Sequence, residues 1–384
     1  MVAKRIGGID TSALERVLAL VNGGDLISFA GGIPNGETFP REELREILSK
    51  VVEMDEALQY GSTAGAPELR EEIARYMGTW GARVGPGEVI VTHGSQQGID
   101  MVSRALIEPG DIVVVEKPTY FVALNTFQVY NPVFEQVSLD DEGLRTDELE
   151  GLLRKLKAEG KGVRLLYTVP TFQNPAGVTM SEERRKALAE LAEEYDFLIL
   201  EDNPYGELRY EGKRVKAVKA FAPERTVYLG SFSKTFVPGF RIAWLVAPEE
   251  LVRPLSIAKQ TTDICTNTFG QYATLLFLRE HFERHVERLR RYYAPKRKAM
   301  LDALEERMPE TVEWTRPDGG MFVWLRIGKD TDELLEKAVR RGVAYVPGSA
   351  FYAKDPERNA MRLNFTFESV ERIEQGVKIL AELV

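Results

Sequence analysis

Five short stretches carry side chains that could do chemistry. In "GSFSKTF" (230–236), Lys234 stands between Ser233 and Thr235, directly after the apolar run "TVYLGS". "GFRIAW" follows, with Arg241 just ahead of another apolar run. A solvated lysine needs no such setting, so the question is what the Lys234 amine is bonded to. "LEDNPYGEL" (200–208) offers the carboxylate of Asp202 and the phenol of Tyr205, and "PTFQNPAG" (170–177) offers the amide of Asn174. "THGSQQG" (92–98) places Ser95 and Gln96 where a helix would begin, and hydroxyls with free backbone N–H groups at a helix start attract anions. Singly, each stretch is an ordinary turn or cap. Asn174 before Pro175 is pushed toward an extended backbone anyway, and Asp202 could close an Asx-turn. Together they offer an amine, a carboxylate, a phenol, an amide and an anion cradle.

The elements that must hold these groups are legible as short apolar runs. Strands are expected at 88–92, 111–116, 163–170, 197–202, 226–231 and 242–247. They alternate with amphipathic stretches such as "SEERRKALAELAEEY" (181–195), whose expected N-cap is Ser181. Runs that are apolar throughout read as strands covered on both faces, which implies a mostly parallel sheet with helices on each side, an α/β fold. Ligands of such sheets collect at the carboxyl ends of the strands. Ser95, Asn174, Asp202, Ser231 and Lys234 all follow strands, and Arg241 precedes one.

After about residue 265 the texture changes. One long helical stretch is expected, kinked or broken at Pro295, followed by antiparallel strands ending in "MRLNFTF" (361–367) and a terminal helix. Residues 1–40 do not fit the central pattern. The expected division is a large domain over 41–275 and a smaller α+β domain from 1–40 and 276–384. Alternation along "MRLNFTF" sets Arg362 with Asn364, facing away from Leu363 and Phe365.

Composition excludes several classes. The chain has 384 residues, 44% apolar and 28% charged, with a formal charge of −9 and no block of Lys or Arg, so no nucleic-acid partner is expected. A single cysteine, Cys265, leaves no disulfide framework. His281 and His285 have i,i+4 spacing in "REHFERHVERLRR", where a solvated helix face is expected rather than a metal site, and no metal is expected elsewhere. No signal-peptide core and no bilayer-length apolar run stands out, so the expectation is a cytoplasmic protein without a membrane partner.

The clustered groups match the needs of pyridoxal phosphate. Its aldehyde needs a lysine, its pyridine nitrogen a carboxylate, its phenolic oxygen donors, and its phosphate hydroxyls, N–H groups and an arginine. On the motifs "TFQNPAG", "EDNPYGELRY" and "GSFSKTFVPGFRIAW" the sequence resembles the class I/II aminotransferases of pyridoxal phosphate fold type I. The likeness runs from "ISFAGGIPNGETFP" to "MRLNFTF" and is nearest the α-aminoadipate, kynurenine and aromatic aminotransferase branch. It implies a large domain with a mostly parallel seven-stranded sheet. It further implies that Lys234 holds the cofactor and shuttles protons, that Asp202 pairs with the ring nitrogen, and that Asn174 and Tyr205 hydrogen-bond the phenolic oxygen. Tyr120, in "KPTYF", would stack on the ring; Ser95, Gln96, Ser231, Ser233 and Arg241 would surround the phosphate. Tyr60, in "LQYGSTAG", would reach the phosphate of a neighbouring subunit in a homodimer, and Arg362 would grip the substrate α-carboxylate.

Substrate choice is less legible. In the resembling family an N-terminal helix lies over the substrate side chain, and an arginine on it can read a distal carboxylate. Ungapped alignment of "TSALERVL" puts Glu15 at that place, with Arg16 one position on, about 100° around a helix. Gly31 and Gly32 either leave space beside the ring or mark a turn of positive φ. The expectation is ping-pong transfer from an aromatic or medium aliphatic amino acid to 2-oxoglutarate. The alternatives are 2-aminoadipate or alanine–glyoxylate transamination, a cysteine-conjugate β-lyase, and a ligand-sensing regulator of aminotransferase-like fold.

Overall fold

The computed structural model describes residues 2–9, 11, 12, 15 and 26–384. Its centre is a sheet built from β2 (Val89–Thr92), β3 (Ile112–Lys117), β4 (Val133–Asp140), β5 (Gly143–Leu144), β6 (Val163–Thr168), β7 (Leu198–Asn203), β8 (Thr226–Ser231) and β9 (Ala243–Val246). The order across the sheet is β2-β9-β8-β7-β6-β3-β4-β5. Six of these are the expected strands; the seventh, β4, is only partly buried along most of its length and shows no apolar run. The eighth, β5, is a two-residue strand turned back on the end of β4. No apolar run announced it, because two residues are too few to show a period.

The pairings explain where the site can lie. β4, β3, β6, β7 and β8 run parallel, while β9 is antiparallel to both β8 and β2. β2 therefore points the same way as β8, and the carboxyl ends of β2, β3, β6, β7 and β8 share one edge. Period-two alternation sends Val113, Val115, Leu165, Tyr167 and Leu200 into one core with the helices Ser95–Leu106 and Phe121–Gln128. Val114, Leu166 and Ile199 face the opposite core, under the helices Thr146–Ala158 and Glu182–Glu194. Covered on both faces, these strands have no polar side to show, which is why they read as unbroken apolar runs. Ser181 caps the second of these helices as expected, accepting from Arg184 N.

A second, antiparallel sheet has the order β10-β11-β14-β13, from β10 (Glu313–Trp314), β11 (Phe322–Arg326), β13 (Val346–Pro347) and β14 (Ala360–Asn364). Met361, Leu363 and Phe365 enter its core, leaving Arg362 on the other face. The N-terminal strand β1 (Ile27–Ser28) pairs in parallel with β12 (Val343–Ala344).

Two expectations fail along the long helical stretch. The break falls at His281, whose φ of −135° separates Thr268–Glu280 from Phe282–Arg307, while Pro295 lies inside the second helix. The histidines are not on a solvated face either. His285 is 2% exposed, because Phe282, His285, Val286 and Leu289 form the inward stripe of that helix. Its ring meets Phe277 edge-on at 5.4 Å, and burial, then Arg288, holds its pKa down to about 4. Among the described residues no helix is long and apolar enough to cross a membrane.

Candidate active site

The strand ends converge on a cavity of about 310 Å³ lined by Gly32, Ser95, Gln96, Tyr120, Asn174, Asp202, Tyr205, Ser231, Ser233, Lys234, Arg241 and Arg362. Every expected site residue from the two sheets is therefore in one place. Three others are not. Tyr60 stands outside the cavity lining and is 82% exposed. Glu15 is also outside it, exposed, and accepts from Thr11 Oγ1 at 2.8 Å. Arg16 lies outside the described residues.

Lys234 leaves β8 through a short turn and projects its amine into the cavity, where Nζ donates to Gly32 O at 2.7 Å. Burial, then Arg241 and Arg362, lowers its pKa to about 8. An amine in that range is partly neutral near physiological pH, as a nucleophile and base requires. Gly32 is not in the left-handed region, so the turn reading fails for it. Space is the reason instead, since an added Cβ would lie 3.1 Å from the Phe322 ring.

Asp202, 3% exposed at the end of β7, accepts from Tyr167 Oη at 3.0 Å through Oδ2. Its Oδ1 is buried without a partner. Burial pushes its pKa up to about 7, against the Tyr167 hydrogen bond and Lys234. Asn174 links two neighbours: its Nδ2 donates to Tyr205 Oη at 3.1 Å, and its Oδ1 accepts from Arg362 Nη1 at 2.9 Å.

Arg362, on the central strand β14, also donates from Nη2 to Ala30 O at 2.8 Å. Its guanidinium lies over the rings of Phe322 at 4.2 Å and Phe351 at 5.2 Å. The Nε is buried without a partner, and desolvation lowers its pKa to about 10. A planar cation held flat on aromatic rings, with donor capacity to spare, suits a carboxylate.

At the other end, the helix Ser95–Leu106 points its N-terminus into the cavity, and Gly94 precedes it with φ 77°. A Cβ there would come within 2.2 Å of Arg241 Nη2, so glycine makes room for the guanidinium as well as for the turn. Arg241 itself is left-handed, with φ 56°, between the turn Pro238–Phe240 and β9. Its Nη1 donates to Ser233 Oγ at 3.4 Å, and Ser233 N donates to Ser231 Oγ at 3.1 Å. Gln96 Nε2 donates to Thr126 Oγ1.

Besides the apolar lining residues, among them Ile33, Pro34, Phe121, Val122 and Pro238, Tyr167 and Gly94 are absent from the sequence-based set. Tyr167 sat inside a run read simply as an apolar strand; the signal was a phenol in an aliphatic strand, which must find a partner when buried. Gly94, inside "THGSQQG", has no side chain to mark it.

The residues fit pyridoxal phosphate on observations of this structure alone. An orphaned carboxylate oxygen, an orphaned guanidinium N–H and a glycine-cleared cradle around Arg241 at a helix N-terminus surround one amine of lowered pKa.

Comparison with known proteins agrees. Residues 24–380 match the family model described as aminotransferase class I and II. The chain is 50% identical to aromatic-amino-acid aminotransferase 1 of Thermococcus litoralis, covering 98% of this chain and 92% of that protein. The solved structure of Pyrococcus horikoshii kynurenine aminotransferase, in complex with PMP, is 49% identical with a TM-score of 0.96, covering 100% of this chain and 96% of that one. The α-aminoadipate aminotransferase of Thermus thermophilus, complexed with N-(5'-phosphopyridoxyl)-L-leucine, is 36% identical with a TM-score of 0.91, over 100% and 96% of the two chains. The chain belongs to the class I and II aminotransferases, and it is a pyridoxal phosphate-dependent enzyme of fold type I that transfers amino groups.

Proposed function

We propose that the enzyme takes its amino group from an aromatic or medium aliphatic L-amino acid and passes it to 2-oxoglutarate. The single observation that carries the donor class is the composition of the cavity wall. Ile33, Pro34, Phe121, Val122 and Pro238 make its side and mouth apolar. Among the described residues its cations are Lys234, Arg241 and Arg362. In this reading Lys234 serves the cofactor, Arg241 the phosphate and Arg362 the α-carboxylate, leaving none to read a donor's distal carboxylate. Glu15, exposed and outside the cavity, adds no cation either. The aromatic substrate in the name of the Thermococcus litoralis relative supports the same choice.

When bound, pyridoxal phosphate supplies an electron-withdrawing ring that takes up the electron pair left when the substrate Cα–H bond breaks. The chain's own groups do the rest. Lys234 would hold the cofactor through Nζ and, once free, would serve as the base that takes the substrate α-proton and hands a proton back. Asp202 holds a proton on the ring nitrogen through its unpaired Oδ1. Asn174 and Tyr205 would hold the phenolic oxygen, and Tyr120 would hold the ring. Ser95, Gln96, Ser231, Ser233 and Arg241 hold the phosphate. Arg362 receives the α-carboxylate, its aromatic bed fixing the fork. Tyr60, in this reading, completes the phosphate site of a second copy in a homodimer, which gives its 82% exposure a use. A cytoplasmic place suits these substrates.

The test is a panel of donors (tyrosine, phenylalanine, leucine, 2-aminoadipate, alanine) against 2-oxoglutarate, with pyruvate and glyoxylate as rival acceptors. The expected result is kcat/KM at least about tenfold higher for an aromatic donor than for 2-aminoadipate, the discrimination of a burial difference near 1.4 kcal/mol. Preference for 2-aminoadipate, or for alanine with glyoxylate, overturns the assignment.

A further inference from the structure

Behind Asp202 stand two groups that hydrogen-bond to none of Lys234, Arg241 and Arg362. Tyr167 is the last residue but one of β6, and its hydroxyl donates to Asp202 Oδ2 at 3.0 Å across the β6–β7 pairing. The next two residues, Thr168 and Val169, are bonded on their other side to Glu116 near the end of β3. Thr168 Oγ1 donates to Glu116 Oε1, and Val169 N donates to its Oε2 at 3.2 Å. Gln173 Nε2 donates to Glu116 Oε2 at 2.9 Å and to Pro118 O at 2.9 Å. Glu116 is 1% exposed, and all of these donors are neutral. Three adjacent strand ends thus carry, in order, a buried carboxyl, a buried phenol and the Asp202 carboxyl.

We propose that Tyr167 and Glu116 are positioning residues that set the aim and the charge of Asp202. Tyr167 occupies Oδ2, so that Oδ1 is the one acceptor left to face the cavity. Glu116 places a second buried carboxyl behind the first, with no cation beside it. The two act in opposite senses. The Tyr167 hydrogen bond favours the ionised Asp202 carboxyl, while Glu116, itself pushed up to about 7 by burial, disfavours it by like-charge repulsion when ionised. The other titratable groups that face Asp202 are Lys234, which favours its ionised form, and the phenols of Tyr120 and Tyr205, which stay neutral near physiological pH. Since pH 7 lies near the value to which Asp202 is raised, small influences there decide how much of it is ionised.

This inference rests on the reading of Asp202 as the partner of the ring nitrogen, and the experiment separates the two. Pyridoxamine phosphate is titrated into the cofactor-free protein from pH 5.5 to 9, because its binding needs no bond to Lys234. Wild type is expected to lose affinity on the acid side, along a limb set by Asp202. Tyr167→Phe should move that limb to higher pH by about one pH unit, a tenfold weaker Kd on the acid side, the size expected for one hydrogen bond to a charged group. Glu116→Gln should move it to lower pH. Asp202→Asn should abolish it. A limb that survives in Asp202→Asn sinks the reading of Asp202. The absence of a limb in wild type, a limb that both variants leave in place, or one that both move in the same direction overturns the positioning role. If Tyr167→Phe fails to fold by circular dichroism, the direction of the Glu116→Gln shift alone decides, since a purely structural role predicts none.

Discussion

The floor of the cavity and its mouth are built by different means. The floor is made of side chains at the ends of adjacent strands: Asp202 on Tyr167, Asn174 on Tyr205, and Glu116 behind them. Glu116, Tyr167 and Asp202 sit where the sheet's hydrogen-bonded register puts them, and Asn174 and Tyr205 stand on the loops that leave β6 and β7. The mouth is made of backbone and of residues standing apart. Arg362 is held there by the carbonyl of Ala30, the carbonyl of Gly32 accepts from Lys234 of the floor, and Tyr60 and Glu15 lie outside the lining. A rigid sheet fixes chemistry, and a segment that holds the two cations through main-chain oxygens leaves substrate choice adjustable. Substitutions in the floor should therefore cost catalysis, and those at the mouth affinity or selectivity.

The largest expected effect is at the floor. Lys234→Ala should remove the visible absorption band of the loaded enzyme and lower turnover by about 10³-fold or more, as loss of a nucleophile that is also the general base would. A variant that keeps both would collapse the distinction between floor and mouth. Next comes Arg362→Lys, which keeps the charge but loses the fork and the stacking on Phe322. Here kcat/KM for every amino donor should fall by about 10²-fold, equivalent to roughly 2–3 kcal/mol of charge-assisted hydrogen bonding, with the visible band intact. A loss confined to one donor would place Arg362 among the selectivity groups instead.

A third expectation concerns stability of the cofactor-free protein. A lysine held near 8 instead of its ordinary 10.5 supports the fold only above that ordinary value, and its contribution is lost as pH falls through about 8. Lys234→Met should accordingly raise unfolding stability in urea by about 2 kcal/mol at pH 7, with the gain fading toward pH 10.5. An equal gain at both pH values would mean that packing, not charge, is responsible. The smallest effect belongs to the mouth. Tyr60→Phe should weaken pyridoxal phosphate binding about fivefold through one lost hydrogen bond, and only at protein concentrations where two chains associate. The same loss in dilute, monomeric protein would show that Tyr60 acts within its own chain.

The floor and the mouth also differed in how far they could be read from sequence. Lys234, Asp202 and Asn174 were visible because each follows an apolar run, so a one-dimensional rule placed them at a common edge. Alternation along β14 sets Arg362 off its apolar face, and its role came from the resemblance. Tyr167 and Glu116 were missed because their importance depends on which strands lie side by side, and the order β7-β6-β3 is not written in any local pattern. His285 was misjudged because charged neighbours masked the inward stripe of its helix. Pro295 draws the expected kink or break to itself, yet the helix runs through it and the break comes at His281. The two-residue β5 was too short to leave a trace.

The carbonyls of Ala30 and Gly32 are two residues apart, so in an extended segment both oxygens point the same way, toward Arg362 and Lys234. Anchors of this kind survive any exchange of side chains in the segment that keeps its path. Ile33 and Pro34, which follow directly and line the cavity, are thus natural positions for a library aimed at new amino donors. Such a library could be broad, because neither essential cation depends on what those two positions carry.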